Sequence, residues 1–533
     1  MTHLLNKLLQ IRIFATAMNG RDFLSQLMNR GRKITDILNF NRRKAVKWQE
    51  TTLKKMLYKA RNTEFGQKYG FDDILISKNP VEEYRRRVPL VTYSQMHDLW
   101  LRQYNGEADI TWPGKCKYFA LSSGTTEGAS KYIPVTNDQL KAMIRASRQQ
   151  LLAMALTDVP KDFLAKDYLV LGGCTDLNFN GVSYSGDLSG ITIANIPNWF
   201  ERFSRPGPEI TAIKDWEEKV NRIVEEAPKW DIVMLAGAPS WMRLLIERII
   251  KRYNVNNIHE IWPNLSFYCW GAVALAPYKQ ALDSMMGRPI IYMESYMASE
   301  AYVANQTKPN ASGMRLVFRN NTYFEFVPFN DENFDADSNL KPTATAIGLD
   351  DVVPGTDYAI ILTTPAGAWR YLIGDTIRFT NTDTCEIKIT GRTKQFLSIT
   401  GEHLSVDNMM EGLRRTAEDF NTDFTEFTVK GVKEGNVFAH HWYIAHHNSE
   451  LDAESLCRSL DQHLRELNDD YHTERNHVLT GMYMTVLPEE MFLDFLEKHL
   501  KLGGQSKFPR VLSDKLFELW VEHVNAYTNQ PAS

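Results

Sequence analysis

Between two apolar runs the chain reads LSSGTTEGASKYIPVT (residues 121–136), with hydroxyls at Ser122, Ser123, Thr125 and Thr126, glycines at Gly124 and Gly128, and Lys131. Flexible backbone N–H groups, hydroxyl donors and an ammonium are what a phosphate needs. The spacing is not that of a P-loop, G-x-x-x-x-G-K-[ST], which opens directly into a helix. Here Lys131 lies three residues beyond Gly128, and Tyr132, Ile133, Pro134 and Val135 favour extension. The loop is therefore expected to join two extended segments. A helix starts only at Thr136 or Asn137. A polar hairpin turn has the same composition, so the loop alone does not decide.

Other stretches weigh against the plain turn. ESYMASEA places Tyr296, Ser299 and Glu300 at the end of an apolar strand, where a hydroxyl meets phosphate and a carboxylate holds Mg²⁺. WRYLIGDTIRF exposes Asp375 beside Gly374, a carboxylate able to accept both ribose hydroxyls of a nucleotide. GRTKQFLSITGEH puts Arg392 and Lys394 at an expected domain junction.

Some tempting features are set aside. AHHWYIAHHN carries His440, His441, His446 and His447, but the run alternates like a strand, which sends neighbours to opposite faces, and no Cys or carboxylate completes a plausible ligand set. His403 reads as positional or solvent-exposed. Ser240 lacks the G-x-S-x-G elbow of a serine hydrolase. The aromatic residues of 184–203 read as core as readily as an acyl pocket.

These residues need a scaffold. At 533 residues the chain exceeds one ordinary core, so two or more domains are expected. Residues 1 to about 90 read as helices ending in VPLVTY. From 117 onward strands and helices alternate, as in DYLVLGG, DWEEKVNRIVEE, WDIVMLAGAPSWMRLLIERII, LSFYCWGAVAL and RPIIYMESYMASEA. Ligands collect at the ends of such strands. Between 313 and 390 the texture turns β-rich, and after it helices and strands alternate on a smaller scale. The expected fold is α/β: a large domain over 1–392, with mixed sheets and a β-rich part, and a small α+β domain over 393–533.

Composition narrows the class. Apolar content of 43% and charged content of 24% suit a folded globular protein. Sixty-one basic against 65 acidic residues give a formal charge of −4, without the basic excess of a nucleic-acid surface. No apolar run reaches the length of a membrane span. The opening MTHLLNKLLQIRIFATAMNG faintly imitates a signal peptide, but Arg12 interrupts it and the leucine spacing fits an amphipathic helix. Five scattered cysteines without a CxxC pair read as reduced thiols of a cytoplasmic protein.

The motifs in this order resemble the acyl-adenylate-forming (ANL) superfamily. Within it the chain looks like a bacterial-type member of the Gretchen Hagen family, the acyl-acid amido synthetases first known as auxin-responsive plant proteins. The likeness spans nearly the whole chain: TEFGQKYGF, SSGTTEGASK, LAGAPSWM, YMESYMASEA, YFEFVPF, WRYLIGD and GGQSKFPRV. It implies a two-step reaction using ATP and Mg²⁺. A carboxylic acid becomes an acyl-adenylate with loss of pyrophosphate, and an amine, typically of an amino acid, then takes the acyl group and releases AMP.

By the same resemblance Ser122, Ser123, Gly124, Thr125, Thr126 and Lys131 would embrace the β- and γ-phosphates. Ser299 would touch the α-phosphate and Glu300 would bind the metal. Gly271 and Ala272 would lie against adenine with Tyr296 nearby, and Asp375 would hold the ribose. Lys507 would come from the small domain to neutralise developing charge, and Lys394 would mark the hinge. Plant members carry Y-R-x-G-D where this chain has Tyr371-Leu372-Ile373-Gly374-Asp375, with Arg370 just upstream; the second glycine of the adenine loop is Ala272, and the residue after the Ser-Glu pair is Ala301. Transfer to coenzyme A or another thiol, and a non-catalytic nucleotide or metabolite binder on the same fold, are the competing readings. The acid, the amine and the oligomeric state are not written in the motifs.

Overall fold

A computed structural model of the chain describes residues 40–122, 131–155, 163–393, 406–499 and 508–528, apart from short internal breaks, together with Thr157, Leu397, Glu402 and Leu404. Strands are numbered in chain order. The phosphate-loop candidate is flanked by β1 (Tyr118–Ser122) and β2 (Lys131–Val135), paired antiparallel with Ser122 opposite Lys131. The expectation of two extended flanks holds. A helix begins at Asn137, where Thr136 Oγ1 accepts the Gln139 N–H at 3.2 Å. β1 also runs parallel to β5 (Tyr184–Gly186), whose other neighbour is β4 (Asn178–Phe179).

An 11-stranded mixed sheet carries the rest of the site. Its parallel half comprises β6 (Ser204–Arg205), β3 (Asp167–Val170), β7 (Ile232–Gly237), β8 (Phe267–Trp270) and β9 (Ile291–Met297). Helices Trp216–Glu226 and Pro239–Tyr253 cover it, burying Val220, Ile223, Met242, Leu245 and Ile249. The antiparallel half comprises β10 (Tyr302–Asn305), β11 (Met314–Leu316), β15 (Glu386–Arg392), β14 (Ala368–Asn381), β13 (Asp357–Thr364) and β12 (Tyr323–Pro328). Within it β12 and β13 are buried along nearly their whole length, whereas β14 and β15 mix buried apolar positions with the partly exposed Asp375 and Arg392. Among the described residues no helix is long and apolar enough to cross a membrane, and all five cysteines are free thiols.

The N-terminal helices close one face of the antiparallel half. Gln49, buried in helix Arg42–Ala60, donates to the Thr322 carbonyl and accepts from Phe324 N–H, so one amide side chain completes the edge of β12. Arg42 donates to the Leu349 and Val352 carbonyls. The VPLVTY connection reaches β14 as well, with Val91 bonded to Arg370 and Leu372. A third sheet, β16 (Glu426–Glu434), β17 (Val437–Ala445) and β18 (Gly481–Leu487), packs with its own helices around Leu456, Leu460, Trp442 and Phe492. It meets the parallel half where Arg243 on helix Pro239–Tyr253 grips both oxygens of Glu489 at 2.5 Å and Leu493 packs into the core beneath.

Candidate active site

The Ser-Glu pair sits where β9 turns into β10. Met297 and Tyr302 are a cross-strand pair, and the turn closes with Ala298 and Ala301 exchanging N–H···O bonds of 2.8 and 3.2 Å. Ser299 and Glu300 are thus the two residues at the tip of a tight hairpin. Gln139 pins that tip by donating at 2.6 Å to the Glu300 carbonyl. Glu300 is 7% exposed, and burial pushes its carboxyl up to about 7. A bond from its own backbone pulls the other way; the Asp375 charge adds to the rise, while Lys131 and Arg392 oppose it.

Asp375 and Arg392 are a register pair across β14 and β15, joined by an ion pair of 2.9 Å to Asp375 Oδ1. The Tyr296 hydroxyl, from β9, donates to the other carboxylate oxygen. Burial first, and then the Asp375 charge, holds the Tyr296 phenol well above its ordinary range, so it remains a donor. The Asp375 charge likewise raises the Arg392 guanidinium. A carboxylate has about four lone-pair positions, so these two partners orient Asp375 and leave acceptor capacity for hydroxyls. Gly374, at φ +91, makes the local kink, and its carbonyl accepts Thr393 N–H at 2.7 Å.

Lys131 opens β2 with its ammonium 5.4 Å from the Tyr93 ring centre, and the Tyr93 hydroxyl accepts Tyr132 N–H at 3.0 Å. At the end of β8 a Cβ on Gly271 would lie 2.6 Å from the Ser295 carbonyl, so only glycine lets that backbone lie against β9. Ala272 follows at φ +72, a left-handed conformation that costs an alanine roughly 1–2 kcal/mol. The position retains the backbone of a glycine without the residue.

Tyr296, Glu300, Lys131, Asp375 and Arg392 therefore form one electrostatic cluster, with Ser299 beside it. Ser122 ends β1 opposite Lys131. Ser123, Gly124, Thr125, Thr126, Lys394, His403 and Lys507 lie outside the described residues. Gln139 and Tyr93 were not expected from the sequence; the Thr136-x-x-Gln139 capping pattern was the available signal for the first. Arg370 is turned away from the cluster. Its guanidinium pairs with Glu325 at 3.0 and 3.1 Å and donates to the Arg85 and Val88 carbonyls, while Arg85 adds a third ion-pair contact to Glu325. Arg370 braces the sheet against the N-terminal helices.

Models of the GH3 family N-terminal domain match residues 35–176 and 174–290, the central-domain model matches 315–392, and the C-terminal-domain model matches 407–516. The chain belongs to the GH3 family. The GH3 relatives include jasmonoyl–L-amino acid synthetase JAR6 of Nicotiana attenuata, 20% identical over 542 residues covering 88% of this chain and 92% of the relative. The fold matches the GH3.15 acyl acid amido synthetase with a TM-score of 0.75 at 17% identity, covering 96% of both chains. It matches a 2-hydroxyisobutyryl-CoA ligase in the postadenylation state with a TM-score of 0.57 at 14% identity, covering 90% of this chain and 91% of the ligase. This GH3 chain thus has the fold of adenylate-forming ligases, and the expected α/β architecture is correct.

Proposed function

We propose that the chain is an ATP-dependent acyl-acid amido synthetase. The observation that carries the reading is the oriented Asp375 carboxylate, held by Tyr296 and Arg392 beside the buried Glu300 and Lys131. A ribose needs a fixed acceptor, and a triphosphate needs cations and donors; this cluster offers both. Membership of the GH3 family and the amino acid synthetase activity named for a relative support the same conclusion.

In the first half-reaction a carboxylate oxygen of the acid attacks the α-phosphorus of ATP and pyrophosphate leaves. In the second an amine nitrogen attacks the acyl carbon, loses a proton, and AMP departs. Asp375 accepts the ribose hydroxyls, and Gly271 and Ala272 lie along the adenine. Ser122, Ser123, Gly124, Thr125, Thr126 and Lys131 hold the outer phosphates, with Ser299 at the α-phosphate. Mg²⁺ fits Glu300: a hard carboxylate oxygen stripped of water gains most from a divalent cation, which would screen the charge of the phosphates. Residues 1–392 bind nucleotide and acid, and residues 393–533 turn about a hinge near Lys394 to bring Lys507 to the reacting groups. Small-molecule acid and amine substrates in a cytoplasmic setting, where free thiols persist, complete the reading.

A thiol acceptor shares the first half-reaction, and the likeness to a CoA ligase fold keeps it as the second reading. Incubation with ATP, Mg²⁺, pooled carboxylic acids and hydroxylamine tests both. Acid-dependent pyrophosphate, AMP and acyl-hydroxamate are expected, and amino acids rather than coenzyme A should replace hydroxylamine. Release of ADP and phosphate instead would refute adenylation; no turnover with retained ATP binding would favour a nucleotide sensor.

A further inference from the structure

The histidine run contains more than its alternation suggests. His440 and His441 lie within β17 and split between its faces. His440 is buried 2.8 Å from Glu402, whereas His441 faces Thr485 at 3.0 Å. His446 and His447 come after the strand has ended at Ala445, so period-two geometry no longer separates them, and their ring centres are 4.0 Å apart. The carboxylate missing from the run arrives from elsewhere. Glu426 pairs with Ala445, and Thr425 N–H continues the ladder to the Ala445 carbonyl at 3.3 Å. That extension carries Thr422 and Asp423 alongside the two histidines.

We propose that Asp423, His446 and His447 bind a divalent cation of the zinc class. One ligand atom from each lies within 4.8 Å of the others. Bonds of about 2.0–2.2 Å at tetrahedral angles need separations of about 3.4 Å, which small side-chain rotations supply. Two imidazoles and one carboxylate are a borderline donor set that favours zinc over magnesium or calcium, with water in the fourth position. Thr422 Oγ1 lies 2.7 Å from His446 Nε2, the kind of outer hydrogen bond that fixes the ring of a metal-binding histidine. His446 is buried, Asp423 half-buried and His447 exposed, so the site is anchored on one side and open to an entering ion on the other. It is separate from the nucleotide cluster and lies near the seam with helix Pro239–Tyr253, where the Asp423 charge acts on Glu247. An ion there would tie the loop before β16 to the end of β17 and offset the like charges of Asp423 and Glu247.

The test is calorimetric titration of the chelator-treated full-length protein with zinc, repeated with magnesium, and repeated on His447→Ala and Asp423→Asn. The wild type should show one saturable zinc site per chain, unaffected by excess magnesium, and each variant should lose more than about tenfold in affinity. Circular dichroism and ATP binding of the variants should match the wild type, since His447 is exposed and both residues lie outside the nucleotide cluster. Absence of a saturable isotherm in the wild type, equal affinity in His447→Ala, or displacement of zinc by magnesium would each overturn the proposal.

Discussion

Replacing Glu300 by glutamine keeps the shape of the β9–β10 hairpin tip and its bond from Gln139, and removes the carboxyl that burial perturbs. A carboxyl that titrates at 4.5 in the unfolded chain and at about 7 in the folded one costs the fold about 3 kcal/mol once ionised. Well below pH 4.5 both states hold the proton and nothing is lost. As pH rises through about 7 the unfolded chain gives up its proton first, so stability falls and then levels off. At pH 5 the cost is still under about 1 kcal/mol; at pH 8.5 it is complete. For a cooperative unit of roughly 350 residues, an unfolding entropy of about 2.1 cal/mol/K per residue makes the full cost about 4 °C in Tm. Thermal unfolding of both nucleotide-free proteins at the two pH values is the assay. Glu300→Gln should melt about 4 °C above the wild type at pH 8.5 and within about 1 °C of it at pH 5. The same difference at both pH values, or a variant less stable at pH 8.5, would refute the buried-carboxyl account. The variant should also lose adenylation, linking its added stability to lost function.

Asp375→Asn removes the charge that Arg392 balances and weakens the ribose acceptor. KM for ATP in pyrophosphate release should rise about ten- to hundredfold, from about 1.5–3 kcal/mol of charged hydrogen bonding; a change under about twofold would exclude the ribose role. Glu325→Gln leaves Arg370 and partly buried Arg85 without their counter-charge, so urea denaturation should show a loss of about 3–5 kcal/mol. A loss below about 1 kcal/mol would mean that the neutral amide suffices. Lys507→Ala should leave ATP binding nearly intact while cutting adenylation by about two to three decades, measured by single-turnover acyl-AMP formation.

Much of the scaffold was legible because its signals are local. Asp215 caps its helix by accepting Glu218 N–H at 2.7 Å, and the apolar face that follows it is the face buried. Asp375 and Arg392 each stood out by type beside a glycine. Their union did not, because the β14–β15 pairing contains register shifts that no local pattern reports. Arg370 was legible as a departure from a motif, but its direction is set by Glu325, 45 residues earlier. The left-handed Ala272 was signalled only by the glycine that the resembling adenine loop has at that position, since alanine itself carries no sign of positive φ. The alternation expected for His446 and His447 fails because β17 ends at Ala445, and the proximity of Asp423 depends on strand pairing that no local pattern reports.

The brace around Glu325 also sets a timetable. Arg370 donates to the Arg85 carbonyl across 285 residues, and Gln49 and Arg42 reach partners at similar separations. At roughly 5–20 residues per second, the N-terminal helices wait about 15–60 s on the ribosome before the strands they cover exist. Throughout that interval Leu53, Met56, Leu57 and Tyr84, fully sheltered in the finished molecule, lack the strands that cover them. Production of this protein therefore depends on whatever shields those side chains in the nascent chain, and synthesis rate and chaperone supply become determinants of yield that its final stability does not reveal.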